Sequence, residues 1–189
     1  MSLQEYKEKM PEEQDTIWFI TGSDRQAAMQ SPALEAFRAK GWDVILLTDP
    51  VDEWLTMALT EFDGTALKSV TRGEFDLDDE SDEDNEDKIN VQELVPWMEE
   101  IYAGRVSGVR PSSRLTESAC VLVDTEDGLS SNMERILKSA NQTVPESSRI
   151  LEVNPTHPLI RNLADLHKKG LTDVAEPIVS LLLDDAQLV

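Results

Sequence analysis

Residues 74–87 hold ten carboxylates and no basic side chain in fourteen positions. Like charges at that density repel one another, and the two apolar residues among them, Phe75 and Leu77, cannot pay for chain ordering by burial. No core can run through such a segment, so it divides the chain. The reading is a first unit over 1–72, an acidic linker over 73–89 and a second unit over 90–189. Calcium is the obvious rival role for the run. An EF-hand loop starting at Asp76 would need glycine for its sharp turn where Ser81 stands, so a solvated spacer is the better expectation.

The run supplies ten of the 21 net negative charges. Phosphate backbones and anionic membranes are gripped by clustered Lys and Arg, which this chain does not show, so both are poor partners. No apolar stretch approaches the roughly 18 residues that cross a bilayer, and the first ten residues lack the basic and apolar regions of a leader, so a cytoplasmic address is expected. Residues 1–3 look like a vector-derived start and are set aside. Cys120 is the single cysteine and His157 and His167 the only histidines. No internal disulfide can form, and no structural zinc set is present.

The first unit alternates short strand and helix signals. Residues 17–20 form a β-prone run, and Thr21, Gly22, Ser23 and Asp24 after it supply turn and N-cap chemistry. Ser31 and Pro32 start a further helical stretch through Ala33, Leu34 and Phe37, which Gly41 ends. A second strand over 44–47 follows. Two strands joined by a helical crossover of this length read as a parallel βαβ unit. Thr48, Asp49 and Pro50 then open a helix with Val51, Trp54, Leu55, Ala58 and Leu59 on one stripe, which periodicity alone would bury. Asp63 and Gly64 turn the chain into a strand over 65–70.

In the second unit, Val91, Leu94, Val95, Met98, Ile101 and Tyr102 fit a helical period that Pro96 is expected to kink or restart. Strands are expected over 106–109, 119–123 and 149–153. Ser131 and Glu134 have capping-box spacing for a helix with Leu129, Met133, Ile136, Leu137 and Ala140 on one face. Asn154, Pro155 and Thr156 cap a helix through His157, Leu159, Ile160, Leu163 and Leu166 that Gly170 ends. A last helix spans 173–189. The fold class is therefore α/β (α+β), with mixed short strands and flanking helices.

Catalytic signals are weak. Thr21 to Asp24 after a strand could cradle a phosphate, yet the glycine-rich dinucleotide and P-loop patterns are missing, and a plain N-cap is the simpler role. Neither histidine lies in a signature pairing it with Cys120 or a serine, and Cys120 in an apolar strand pattern reads as a small hydrophobe. The Leu129–Met133–Ile136–Leu137 stripe is either core or an adaptable apolar contact surface.

Four segments, Val51-Asp52-Glu53-Trp54, Leu59-Thr60-Glu61-Phe62-Asp63-Gly64, Ser113-Arg114-Leu115-Thr116-Glu117-Ser118 and Leu151-Glu152-Val153-Asn154-Pro155-Thr156-His157-Pro158-Leu159, occur in this order and resemble the heat-shock protein 90 family in its bacterial form. That resemblance implies a small α/β/α end of the middle domain before the acidic run. After it would come an α+β C-terminal dimerisation domain, ending before the final dimerisation helix. ATP and Mg would be bound upstream of this chain, leaving no catalytic residue, cofactor or metal in it. Unfolded or partly folded client proteins would be held by Glu53, Trp54, Leu129, Met133, Ile136 and Leu137. A homodimer of the full-length protein, weakened or lost here, would use Ile178, Leu181 and Leu182. Two other readings stay open: a nucleotide-binding α/β enzyme domain using Thr21 to Asp24, and a purely structural dimerisation module with Leu129 and Met133 buried.

Overall fold

The computed structural model describes residues 2–73, 91–143 and 149–188. Almost all of the expected acidic linker therefore lies outside the described residues. What is described is an α/β fold with two open sheets. One has four strands in the order β2-β1-β4-β3, and the other three in the order β5-β7-β6.

The first helix, α1 (Leu3–Lys9), had no sequence signal assigned to it. Ser2 caps it, its Oγ accepting from the Glu5 amide at 3.2 Å while the Glu5 carboxylate accepts from the Ser2 amide at 2.8 Å. Ser2 and Leu3 thus take part in the fold, where a reciprocal cap fixes the helix start. Buried Tyr6 anchors α1, donating its hydroxyl to the Asp43 carbonyl and accepting from Gln14 at 2.8 Å.

Strand β1 (Thr16–Thr21) lies between β2 (Ile45–Leu47) and β4 (Thr65–Ser69), parallel to both, and β3 (Glu61–Phe62) closes the edge antiparallel to β4. A central parallel strand is covered on both faces, which explains the continuous apolar run with Ile17, Phe19 and Ile20 all buried. The crossover from β1 to β2 comprises α2 (Arg25–Gln30), a 3₁₀ turn (Pro32–Leu34) and α3 (Glu35–Lys40). Gly41 ends α3 at φ 69°, a left-handed conformation, and its amide reaches back to Arg38 and Phe37. Phe37 meets Trp18 and Trp42 edge-on at centroid distances of 5.1 and 6.3 Å, filling the space under the crossover. Helix α4 (Asp52–Ala58) connects β2 to β3.

In the second sheet β7 (Arg149–Val153) is central, parallel to β5 (Gly108–Pro111) and antiparallel to β6 (Cys120–Asp124). Helices α5 (Leu94–Ile101), α7 (Pro158–Lys168) and α8 (Thr172–Ala186) bury Leu94, Met98, Ile160, Leu163, Val179 and Leu183 in one cluster with Val109, Leu151 and Val153 of the sheet. Three local expectations are corrected. Pro96 falls in the first turn of α5, where its missing N–H has no intrahelical partner to lose, so it neither kinks nor restarts the helix. His157 itself caps α7, its Nδ1 accepting from the Leu159 amide at 3.1 Å. Helix α6 (Ser131–Ser139) is capped by Ser130, not Ser131.

Many polar contacts join the two halves. Arg114, fully buried, sends its guanidinium to the Val70 and Gly73 carbonyls while pairing with Glu152 of β7 at 2.8 Å. The Asp124 amide donates to the Thr71 carbonyl at 2.8 Å. Glu35 of α3 accepts from the amides of Thr116, Glu117 and Ser118 and from the Ser118 hydroxyl. Burial acts to raise the Glu35 carboxyl pKa, but these four donors outweigh it and hold the group below the ordinary glutamate value.

A depressed folded pKa stabilises the fold above the unfolded value of about 4.3, and that contribution disappears as pH falls through the lower folded value. Glu35→Gln should cost about 1–2 kcal/mol at neutral pH in urea unfolding. It should also flatten the loss of stability on acidification. An unchanged pH slope would show that the Glu35 contact contributes nothing to stability.

Candidate functional site

Helix α4 inverts the burial its sequence period suggests. Val51, Trp54, Leu55 and Met57 are exposed, Trp54 by 50% and Met57 by 65%, whereas the acidic Glu53 is only 4% exposed. The stripe points outward because Glu53 points inward, toward the start of α6. Its Oε2 accepts from the Ser130 hydroxyl at 2.7 Å and its Oε1 from the Asn132 side-chain amide at 2.9 Å. Ser130 also accepts from the Met133 amide at 3.0 Å, so one hydroxyl caps α6 and tethers it to α4.

Two further ties hold α6. Ser131 Oγ donates to Asp124 Oδ1 at 3.1 Å, and Glu134 is paired with Arg149 and Lys138, each at 3.4 Å. Burial raises the Asp124 carboxyl pKa; the Ser131 hydrogen bond and the charges of Arg149 and Arg72 only partly oppose it.

The residues that the family resemblance singles out fall into distinct environments. Trp54 is open to solvent and Glu53 is not; as a buried hydrogen-bond acceptor, Glu53 is placed to position α6 rather than to face solvent. Met133 is buried at 5% exposure, while Leu129, Ile136 and Leu137 are half-buried on the same face. On α8, Leu182 is in the core and Ile178 packs against it, whereas Leu181 is 65% exposed. Sequence reasoning missed Ser130, Asn132 and Glu35. Ser130 stands beside Ser131, whose S-x-x-E spacing was the stronger cap signal. The Asn132 and Glu35 contacts span 79 residues or more and leave no local signal.

A cavity of about 360 Å³ opens between the halves, lined by Thr21, Gly22, Asp124, Ser131, Arg135 and Arg149 among others. It includes part of the segment considered for phosphate. Asp24 Oδ1, however, accepts from the Gln26 and Ala27 amides at 2.8 and 2.9 Å, so a carboxylate already occupies the start of α2 where a phosphate would sit. Among the described residues no group of three or more His, Cys, Asp or Glu is arranged to hold a metal ion. No described helix is long and apolar enough to cross a membrane.

With both sheets and this surface in view, the family is established. The chain belongs to the heat-shock protein 90 family, matching the Hsp90 protein family over residues 1–189. Three similar curated proteins are bacterial chaperones. The chaperone protein HtpG of Geobacter sulfurreducens is 49% identical over 180 residues, covering 92% of this chain and 28% of the relative. HtpG of Geobacter metallireducens is 48% identical, covering 99% and 30%, and HtpG of Mycobacterium leprae is 47% identical, covering 91% and 27%. The chain spans less than a third of the length of these curated relatives.

Burial pushes the Cys120 thiol up to about 12, and its Sγ lies 3.6 Å from the Leu182 carbonyl. The thiolate is the reactive form, so a thiol reagent near pH 8 should modify native Cys120 only as fast as the second half unfolds. Rapid modification of native protein, followed spectroscopically, would contradict that burial.

Proposed function

We propose that this chain is the part of a molecular chaperone that holds unfolded or partly folded clients against exposed apolar side chains. The outward face of α4 carries this reading: Val51, Trp54, Leu55 and Met57 lie within two helical turns with no described cover. Singly exposed apolar residues are common, but a contiguous group containing a tryptophan and a methionine suits varied partners. Helix α6 is tied to α4 through Glu53, so Leu129, Ile136 and Leu137 extend the surface across the boundary between the halves. The net charge of −21 keeps client complexes apart in solution.

In the whole protein, ATP with Mg would be bound and hydrolysed in segments outside this chain, and closure would move this surface against clients in the cytoplasm. Self-association fits α8, where Val174, Ile178 and Leu181 follow an i, i+4, i+7 stripe with Val174 and Leu181 exposed; Leu188 continues it past the helix end. A purely structural module is favoured only by the burial of Met133.

Fluorescence anisotropy of a labelled, permanently unfolded client separates the two readings. The double variant Trp54→Ser, Met57→Ser should keep its circular dichroism, because both side chains are exposed, and should bind at least about tenfold more weakly, equivalent to about 1.4 kcal/mol. Unchanged client binding by the folded variant would remove α4 from the site.

A further inference from the structure

Glu53 is a buried carboxylate whose partners, among the described residues, are a hydroxyl and an amide rather than a cation. A charge taken from water needs compensation, and here it comes from two donors at the start of the nine-residue α6, where the helix dipole favours a negative group. The contrast with Arg114 and Glu152 is instructive. That pair joins opposite charges in a bidentate contact, while the described donors to Glu53 are neutral.

The bonding pattern also has a direction. Ser130 has one proton to give. Its Oγ accepts from the Met133 amide, and the hydroxyl is donated to Glu53. Asn132 donates its amide N–H to Glu53 while its Oδ1 accepts from Arg135 at 2.7 Å. Removing the carboxylate therefore takes a partner from Ser130 and Asn132 at once, immediately before Met133, and leaves the Ser131–Asp124 and Glu134–Arg149 contacts as the remaining ties of α6.

We propose that Glu53 is an internal latch, a positioning residue on α4 that clamps the N-terminus of α6 so that Met133 stays buried until the Glu53–Ser130–Asn132 contact opens. Opening it lifts the start of α6 and adds Met133 to the half-buried Leu129, Ile136 and Leu137 of the same stripe. The latch stands on geometry alone. Its use as a control on client access rests on the client-binding reading above.

Peroxide oxidation of methionine, followed residue by residue by mass spectrometry on the 189-residue chain, tests it. Met57 is 65% exposed and reports free reactivity; Met98, fully buried in the second core, reports general unfolding. In Glu53→Ala, Met133 should oxidise at least about fivefold faster while Met57 and Met98 keep their wild-type rates. Glu53→Gln retains the shape and an acceptor for Ser130, and should fall between Glu53→Ala and wild type. An unchanged Met133 rate in Glu53→Ala overturns the latch, and so does a parallel rise at Met98, which would mean general loosening. The same variants, titrated with the labelled unfolded client, separate the two ideas: faster Met133 oxidation with no gain in client affinity upholds the latch and removes α6 from the client surface.

Discussion

The arrangement of the molecule depends on one buried ion pair. Arg114 Nε and Nη2 meet Glu152 Oε2 and Oε1 at 2.8 and 3.0 Å, a bidentate contact, and Ser112 and Arg110 add donors to the same carboxylate at 2.7 and 2.8 Å. Burial pulls the Arg114 pKa down and the Glu152 charge pulls it back. Desolvating such a pair costs several kcal/mol and is repaid only when every donor is used. Here two further guanidinium donors go to the carbonyls of Val70 and Gly73, the last turn of the first half before the acidic run. The ion pair thus completes itself with backbone from the other half, and the halves are held by its requirement for partners.

That lock makes the other boundary contacts possible. With β7 fixed against the end of the first half, Glu35 meets the 116–118 loop and Glu53 meets the start of α6. The three acidic groups differ in strength. Glu152 has two arginines, Glu35 has four neutral donors from the 116–118 loop, and Glu53 has two neutral donors at the start of α6. The cavity beside it is lined by groups already engaged with one another, Asp124 with Ser131 and Arg135 with Asn132.

Periodicity made much of the fold legible. The parallel β1–crossover–β2 unit and the strand Arg149–Val153 follow from apolar runs bounded by turn chemistry, because burial on both faces of a central strand leaves a local mark. Helix α1 was missed because its single core side chain, Tyr6, makes no stripe. The face of α4 was misjudged for a related reason: a 3.6 period shows which residues share a side but not whether that side meets the core or solvent. Only the ties of Glu53 to Ser130 and Asn132 decide it, and they are 77 and 79 residues away in sequence. The family was legible in four short segments, and Arg114 and Glu152 lie in two of them, yet nothing local shows that these two residues pair.

Native-state hydrogen exchange at increasing urea tests the lock most directly, read separately over residues 2–73 and 91–188 in wild type and in Arg114→Ala. If the ion pair binds the halves into one unit, core amides of β1 and β7 should lose protection together in wild type. In the variant they should separate, with the linked state weakened by about 3–5 kcal/mol. Separate opening of the two sheets in wild type, or coincident opening that Arg114→Ala leaves unchanged, would contradict the claim that this pair holds the molecule together.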